Sequence, residues 1–91
     1  MDPEKKIVLA PGYLLERIAD EVVVYHPTRT TSLYLNETGA LIWGLCDGNR
    51  STADIIGILS ELYPDSSEQI AAQVEDMIRR LAENSIAAFE D

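Results

Sequence analysis

The feature that most constrains this chain is a change of period at Asn36. Before it, apolar residues come in short runs of strand character. Glu21-Val-Val-Val-Tyr-His26 is β-branched and aromatic and is stopped by Pro27. In Ser32-Leu-Tyr-Leu35 the two leucines fall on one face and Ser32 and Tyr34 on the other. After Asn36 the apolar residues recur at helical spacing, most clearly at Ile70, Val74, Met77, Ile78 and Leu81. A 91-residue chain with one such switch has room for a small sheet and a few helices around a thin core, in one domain spanning 1–91.

Local signals fill in the order of elements. Residues 1–6 are polar and are expected to fray. Ala10-Pro11-Gly12 is a turn, Tyr13 to Ile18 is a first strand, and Asp20-Glu21 turns the chain into the second. Thr28 to Thr31 connect to the third. Asn36 caps a helix that is apolar nearly all round and closes at Asp47-Gly48-Asn49, with Trp43 as a core residue. Ser51-Thr52-Ala53-Asp54 and Ser66-Ser67-Glu68-Gln69 have the form of capping boxes opening two further helices. Pro64 separates those two, Asn84-Ser85 ends the last, and Ile86-Ala-Ala-Phe89 fits a final short strand. The fold class is α+β: a winged-helix-turn-helix-like arrangement, with a three-stranded antiparallel sheet followed by three helices.

Composition excludes several functions. Apolar residues make up 46% of the chain, enough for a core rather than disorder. Net charge is −9, and residues 51–91 hold nine acids against Arg79 and Arg80 alone. Such a surface repels phosphate backbones and anionic lipid. The last helix would be the recognition helix of a DNA-binding protein, yet it carries Glu68, Glu75, Asp76 and Glu83. No segment is long and apolar enough to span a bilayer, and Met1-Asp2-Pro3-Glu4 lacks the apolar core of a signal peptide. The lone Cys46 lies in an apolar stretch, reads as a buried small hydrophobe and forms no internal disulfide, so a reducing, cytoplasmic location is expected.

Catalytic chemistry has no foothold. His26 is the one histidine and has no second ligand at metal-binding spacing. No serine or cysteine has a nucleophile signature, the five glycines form no phosphate loop, and the carboxylates lie on polar helix faces. No enzyme activity, metal or cofactor is expected. What stands out is Thr30 to Leu35, a short Ser- and Thr-rich strand without the lysine or proline that usually blunts a sheet edge. It fits two arrangements: covered by the final helix, or open to an added strand from a peptide.

The stretch Leu33-Tyr-Leu-Asn-Glu-Thr-Gly-Ala-Leu-Ile-Trp-Gly-Leu-Cys-Asp-Gly48, continued by Asn49-Arg50-Ser51-Thr52-Ala53-Asp54-Ile55-Ile56, closely resembles the PqqD family, as does Leu9-Ala10-Pro11-Gly12 ahead of the first strand. The resemblance spans about residues 9 to 90. It implies a three-strand, three-helix winged-helix-like fold and a peptide chaperone that binds the leader of a ribosomally made precursor and presents it to a modifying enzyme. In that family the leader adds to the edge of the third strand, against the third helix. Carried onto this chain, the edge is Thr30 to Leu35, with Thr30, Thr31, Ser32, Leu33 and Tyr34 offering the backbone. The groove wall is the helix from Ser67 to Glu83, offering Gln73, Asp76, Met77 and Arg80. Asp76 or Glu75 would pair a basic leader residue and Arg80 an acidic one. Met77 also fits plain core packing, and the charged residues a solvated face. The resemblance implies either a radical S-adenosylmethionine enzyme, as in pyrroloquinoline quinone synthesis, or a leader protease, as in lasso-peptide assembly. The other readings are a structural domain whose edge pairs with itself in a homodimer, and a DNA-binding winged helix, which the charge disfavours.

Overall fold

The computed structural model describes residues 2–90, which run β1 (Lys6–Leu9), β2 (Leu14–Ile18), β3 (Glu21–Tyr25), β4 (Ser32–Leu35), α1 (Glu37–Leu45), α2 (Thr52–Leu62), α3 (Ser67–Glu83) and β5 (Ala87–Glu90). The expected three-stranded antiparallel sheet is present, in the order β2-β3-β4. A two-residue loop, Ala19-Asp20, joins β2 to β3, and Ala19 takes the left-handed backbone (φ 57°) that so tight a hairpin needs. Alternation then divides the side chains between two faces. Leu15, Arg17, Val22, Val24, Leu33 and Leu35 share the inner face, where Val22, Val24 and Leu35 are buried.

A second sheet was not legible in the pattern. β1 pairs antiparallel with β5, from Lys6 opposite Glu90 to Leu9 opposite Ala87, and Ile7 between them is fully buried. The N-terminal residues expected to fray are tied down instead. The Pro3 carbonyl accepts from the Ala53 amide at 2.9 Å, and the Ile7 amide donates to the Arg50 carbonyl at 2.9 Å. Met1, part of the same expectation, lies outside the described residues. Burying Ile7 offsets the cost of ordering the segment, since a fully buried Ile contributes roughly 1.5–3 kcal/mol.

Two of the three helix starts follow the expected chemistry. Asn36 Oδ1 accepts from the Gly39 amide at 2.7 Å. Ser51 and Asp54 form a reciprocal capping box, with the Asp54 amide donating to Ser51 Oγ at 3.1 Å and the Ser51 amide to Asp54 Oδ2 at 2.9 Å. The capping box expected at Ser66 does not form. A single 3-10 turn over Pro64–Ser66 leads into α3, opened by a proline that has no amide to satisfy. At the far end Asn84 caps α3, Ser85 takes a left-handed conformation (φ 59°), and the Ile86 amide returns to the Leu81 carbonyl at 2.8 Å. α2 and α3 pack side by side across the short turn and, with the sheet, give the expected winged-helix-like α+β arrangement. The core lies between α3 and everything else: Ile7, Val24, Ile42, Ile55, Leu59, Val74, Ile78, Leu81 and Ile86 are at most 1% exposed. Trp43 is half-buried against this core rather than at its centre.

Candidate functional site

The hairpin fixes which backbone groups of β4 are free. With only two residues in the loop, Ile18 and Glu21 must be a hydrogen-bonded pair, and such pairs alternate along an antiparallel ladder. Glu21, Val23 and Tyr25 therefore direct their amides and carbonyls to β2, while Val22 and Val24 direct theirs to β4. Their partners are Leu35 and Leu33. By the same alternation Ser32 and Tyr34 turn their amides and carbonyls away from β3, to the open side of β4. Among the described residues no strand pairs with that side.

Beside this edge lies a groove. A hollow of about 260 Å³ is lined by Tyr34, Leu35 and Asn36 at the end of β4, Thr38, Gly39 and Ile42 on α1, and Gln73, Asp76, Met77 and Arg80 on α3. The α3 residues recur at helical spacing and so share one face. Gly39 lets the three elements close up: a Cβ there would sit 3.2 Å from Leu35 Cβ, 3.3 Å from Asn36 Oδ1 and 3.6 Å from Met77 Sδ. A second hollow of about 290 Å³ shares Thr38 and Gln73 with the first and continues between α1 and the start of α3, over Leu41, Leu59, Tyr63 and Ile70.

The structure therefore brings five of the sequence-derived residues together: Tyr34, Gln73, Asp76, Met77 and Arg80 all line the groove. Met77 serves core and groove alike, being 5% exposed. Ser32 belongs to the open edge. Leu33 does not: its backbone faces β3 and its side chain packs on the core. Thr30 and Thr31 precede β4 and lie outside the strand. Glu75 faces a different hollow, with Pro3, Thr52 and Arg79, because it stands two residues from Gln73, about 200° around the helix. Sequence reasoning placed Leu35 in the edge but missed the rest of the groove floor, Asn36, Thr38, Gly39 and Ile42. The signal was present in Leu35-Asn36-x-x-Gly39, where a cap and a glycine sit within one helical turn of a strand end.

Charge in the groove is nearly balanced. Asp76 stands 3.5 Å from Arg79, both side chains being more than half exposed, so the pair holds little energy. Arg80 has no ion pair among the described residues. A 2.6 Å bond from Arg17 to Glu37 ties β2 to the start of α1; the hydrogen bond and the opposite charge hold the Glu37 carboxyl below its ordinary value and the Arg17 guanidinium above its own. No cluster of metal-ligating side chains occurs among the described residues. No described helix is long and apolar enough to cross a membrane.

A sequence profile of the family described as coenzyme PQQ synthesis protein D (PqqD) matches residues 21–86, from the first residue of β3 to the approach to β5. The chain belongs to the PqqD family. A search of curated proteins returned no match. Among solved structures, this PqqD-family chain is similar to one described as TbiB1 in complex with the TbiA(beta) leader peptide. The TM-score is 0.69 at 22% identity, over 88% of this chain and 93% of the other, a likeness of fold. The family profile, over residues 21–86, spans the edge strand, the groove floor and the face of α3.

Proposed function

We infer that this chain binds the leader of a ribosomally synthesised precursor peptide as a fourth strand on β4 and presents it to a modifying enzyme. The observation that carries this reading is the open side of β4, where Ser32 and Tyr34 offer amides and carbonyls beside a groove walled by α3. Family membership supports it, and so does the leader peptide named with the TbiB1 structure. Nothing in the mechanism asks for a catalytic group, metal or cofactor on this chain. The receiving enzyme is a radical S-adenosylmethionine enzyme or a leader protease, identified by what is encoded beside this chain's gene.

The energetics set what the groove must bury. Two outward residues offer four backbone hydrogen bonds, each contributing roughly 0.5–1.5 kcal/mol net. Each Leu-sized leader side chain buried over Met77 and Ile42, or over Leu41 and Ile70, adds roughly 1.5–3 kcal/mol. Micromolar binding corresponds to roughly −8 kcal/mol, so several such side chains must be buried to offset the cost of ordering a disordered peptide. Holding the leader also raises the local concentration of the attached core peptide at the enzyme.

The test is a titration of the 15N-labelled chain with the synthetic leader of the precursor encoded nearby. The expected result is saturable shifts of the Ser32 and Tyr34 amides and of the α3 face from Gln73 to Arg80, with those two edge amides gaining protection from hydrogen exchange. Binding that leaves β4 and α3 unperturbed would overturn the proposal.

A further inference from the structure

The outer face of the β2-β3-β4 sheet is apolar where a solvated sheet face is ordinarily polar. The register sets Leu14, Tyr25 and Ser32 in one cross-strand row, Glu16, Val23 and Tyr34 in the next, and Ile18 and Glu21 in the third. Leu14 is 48% exposed, Ile18 59% and Tyr34 65%. Val23 and Tyr25 are half-buried, and none of the five apolar residues packs against the core among the described residues. The charges on this face are Glu16 and Glu21, with Asp20 at the hairpin, and no base offsets them: Arg17 is turned to the inner face and bonded to Glu37.

A peptide strand added to β4 extends this surface. It would lie beside Ser32 and Tyr34, and its alternate side chains would project on the same outer side as Tyr34. Resting on the leader-binding reading above, we propose that this sheet face docks the enzyme that acts on the bound peptide. The docking surface is composite: Leu14, Ile18, Val23 and Tyr25 from this chain, then Tyr34 beside the outward side chains of the peptide. The partner patch it fits has an apolar centre rimmed by lysine or arginine, complementary to Glu16, Asp20 and Glu21. A second copy of this chain fits poorly, because it would set those acids against their equivalents in a molecule of net charge −9. Area points the same way. Three strands of four or five residues cover at most roughly 14 by 17 Å, about 240 Å². A stable standard interface needs about 800 Å² on each side. The face alone is too small, so the added strand and its surroundings make up part of the surface, and the enzyme binds the peptide-loaded chain more tightly than the empty one.

The experiment measures affinity of the full chain for the purified modifying enzyme encoded beside its gene, with and without the precursor peptide. The wild type is compared with Leu14→Ser/Ile18→Ser and with Glu16→Lys. These side chains are exposed, and circular dichroism melts verify that both variants fold. The expected result is enzyme binding at least tenfold weaker in each variant, with leader affinity within twofold of wild type, and at least tenfold tighter enzyme binding by the loaded wild-type chain. Unchanged enzyme affinity in both variants overturns the proposal. So does light scattering that shows a wild-type dimer dissolved by the same substitutions, which assigns the face to a second copy. If the variants lose enzyme while the wild type fails to bind the leader at all, the docking face stands and the leader reading falls.

Discussion

Replacing Ser32 with proline removes one of the outward backbone groups on which the proposed peptide binding rests. The Ser32 amide points away from β3, so its loss leaves the bonds from Leu33 and Leu35 to Val24 and Val22 in place. Proline is tolerated on an edge strand when its missing amide faces outward. A bound leader would lose one hydrogen bond and be left with an unsatisfied carbonyl facing the proline ring, at a cost of roughly 1–3 kcal/mol. The expected loss of affinity is therefore about 1–3 kcal/mol, or roughly 5- to 150-fold in Kd. Leu33→Pro is the control. Its amide points inward, so it removes a ladder bond, and it also strips a half-buried side chain from the core. It should cost roughly 2–5 kcal/mol from the broken ladder bond and the lost burial, against a net stability of about 5–14 kcal/mol for a chain this size. Calorimetric titration with the leader gives the first quantity and urea unfolding the second. If Ser32→Pro binds leader as the wild type does while remaining folded, edge addition at that residue is wrong. If it unfolds as Leu33→Pro does, the assignment of outward amides is wrong.

Two further outcomes are expected. Asn36→Ala should lower Tm by roughly 4–8 °C, since loss of a helix cap costs about 1 kcal/mol in a domain this small. It should weaken leader binding as well, because the Gly39 amide it strands lies at the groove floor; an unchanged melt would refute the cap's role. Cys46 should react very slowly with a disulfide reagent at pH 8 in the folded chain and at an ordinary rate once unfolded. Burial, and secondarily Asp47, push its thiol up to about 12, and its Sγ donates to the Ile42 carbonyl at 3.2 Å. Fast stoichiometric labelling of the native chain would refute this.

What could be read in advance was what depends on neighbours in sequence. The β2-β3 hairpin is announced by Asp20 between two apolar runs, α2 by a capping box within four residues, and α3 by one apolar face repeated over four turns. β1 escaped because Lys6-Ile-Val-Leu9 is too short to show alternation and its partner strand begins at Ala87, at the other end of the chain. Its polar lead-in looked like a tail, and only the Pro3 carbonyl, met by the Ala53 amide, shows otherwise. The site divides in the same way. Gln73, Asp76, Met77 and Arg80 follow from helical spacing once one of them is placed, and the same spacing, applied strictly, excludes Glu75. The floor from Leu35 to Ile42 could not be assigned by spacing, because it depends on how closely α1 approaches α3, and that distance is set by the side chain Gly39 lacks.

The charge on the helix-turn-helix disfavours nucleic acid. A DNA reader of this shape would present the exposed side of its last helix to phosphates, yet here that helix carries Glu68, Glu75, Asp76 and Glu83 against Arg79 and Arg80. Its groove-facing stretch holds one acid, one base, a methionine and a glutamine, a surface suited to a peptide with mixed side chains. On the proposed reading the binding surface lies in the cleft between helix and sheet instead of on the solvent side of the helix. That placement requires the sheet to stop at β4. A fourth strand of this chain laid along Ser32 and Tyr34 would satisfy the same backbone groups and leave no edge for a peptide.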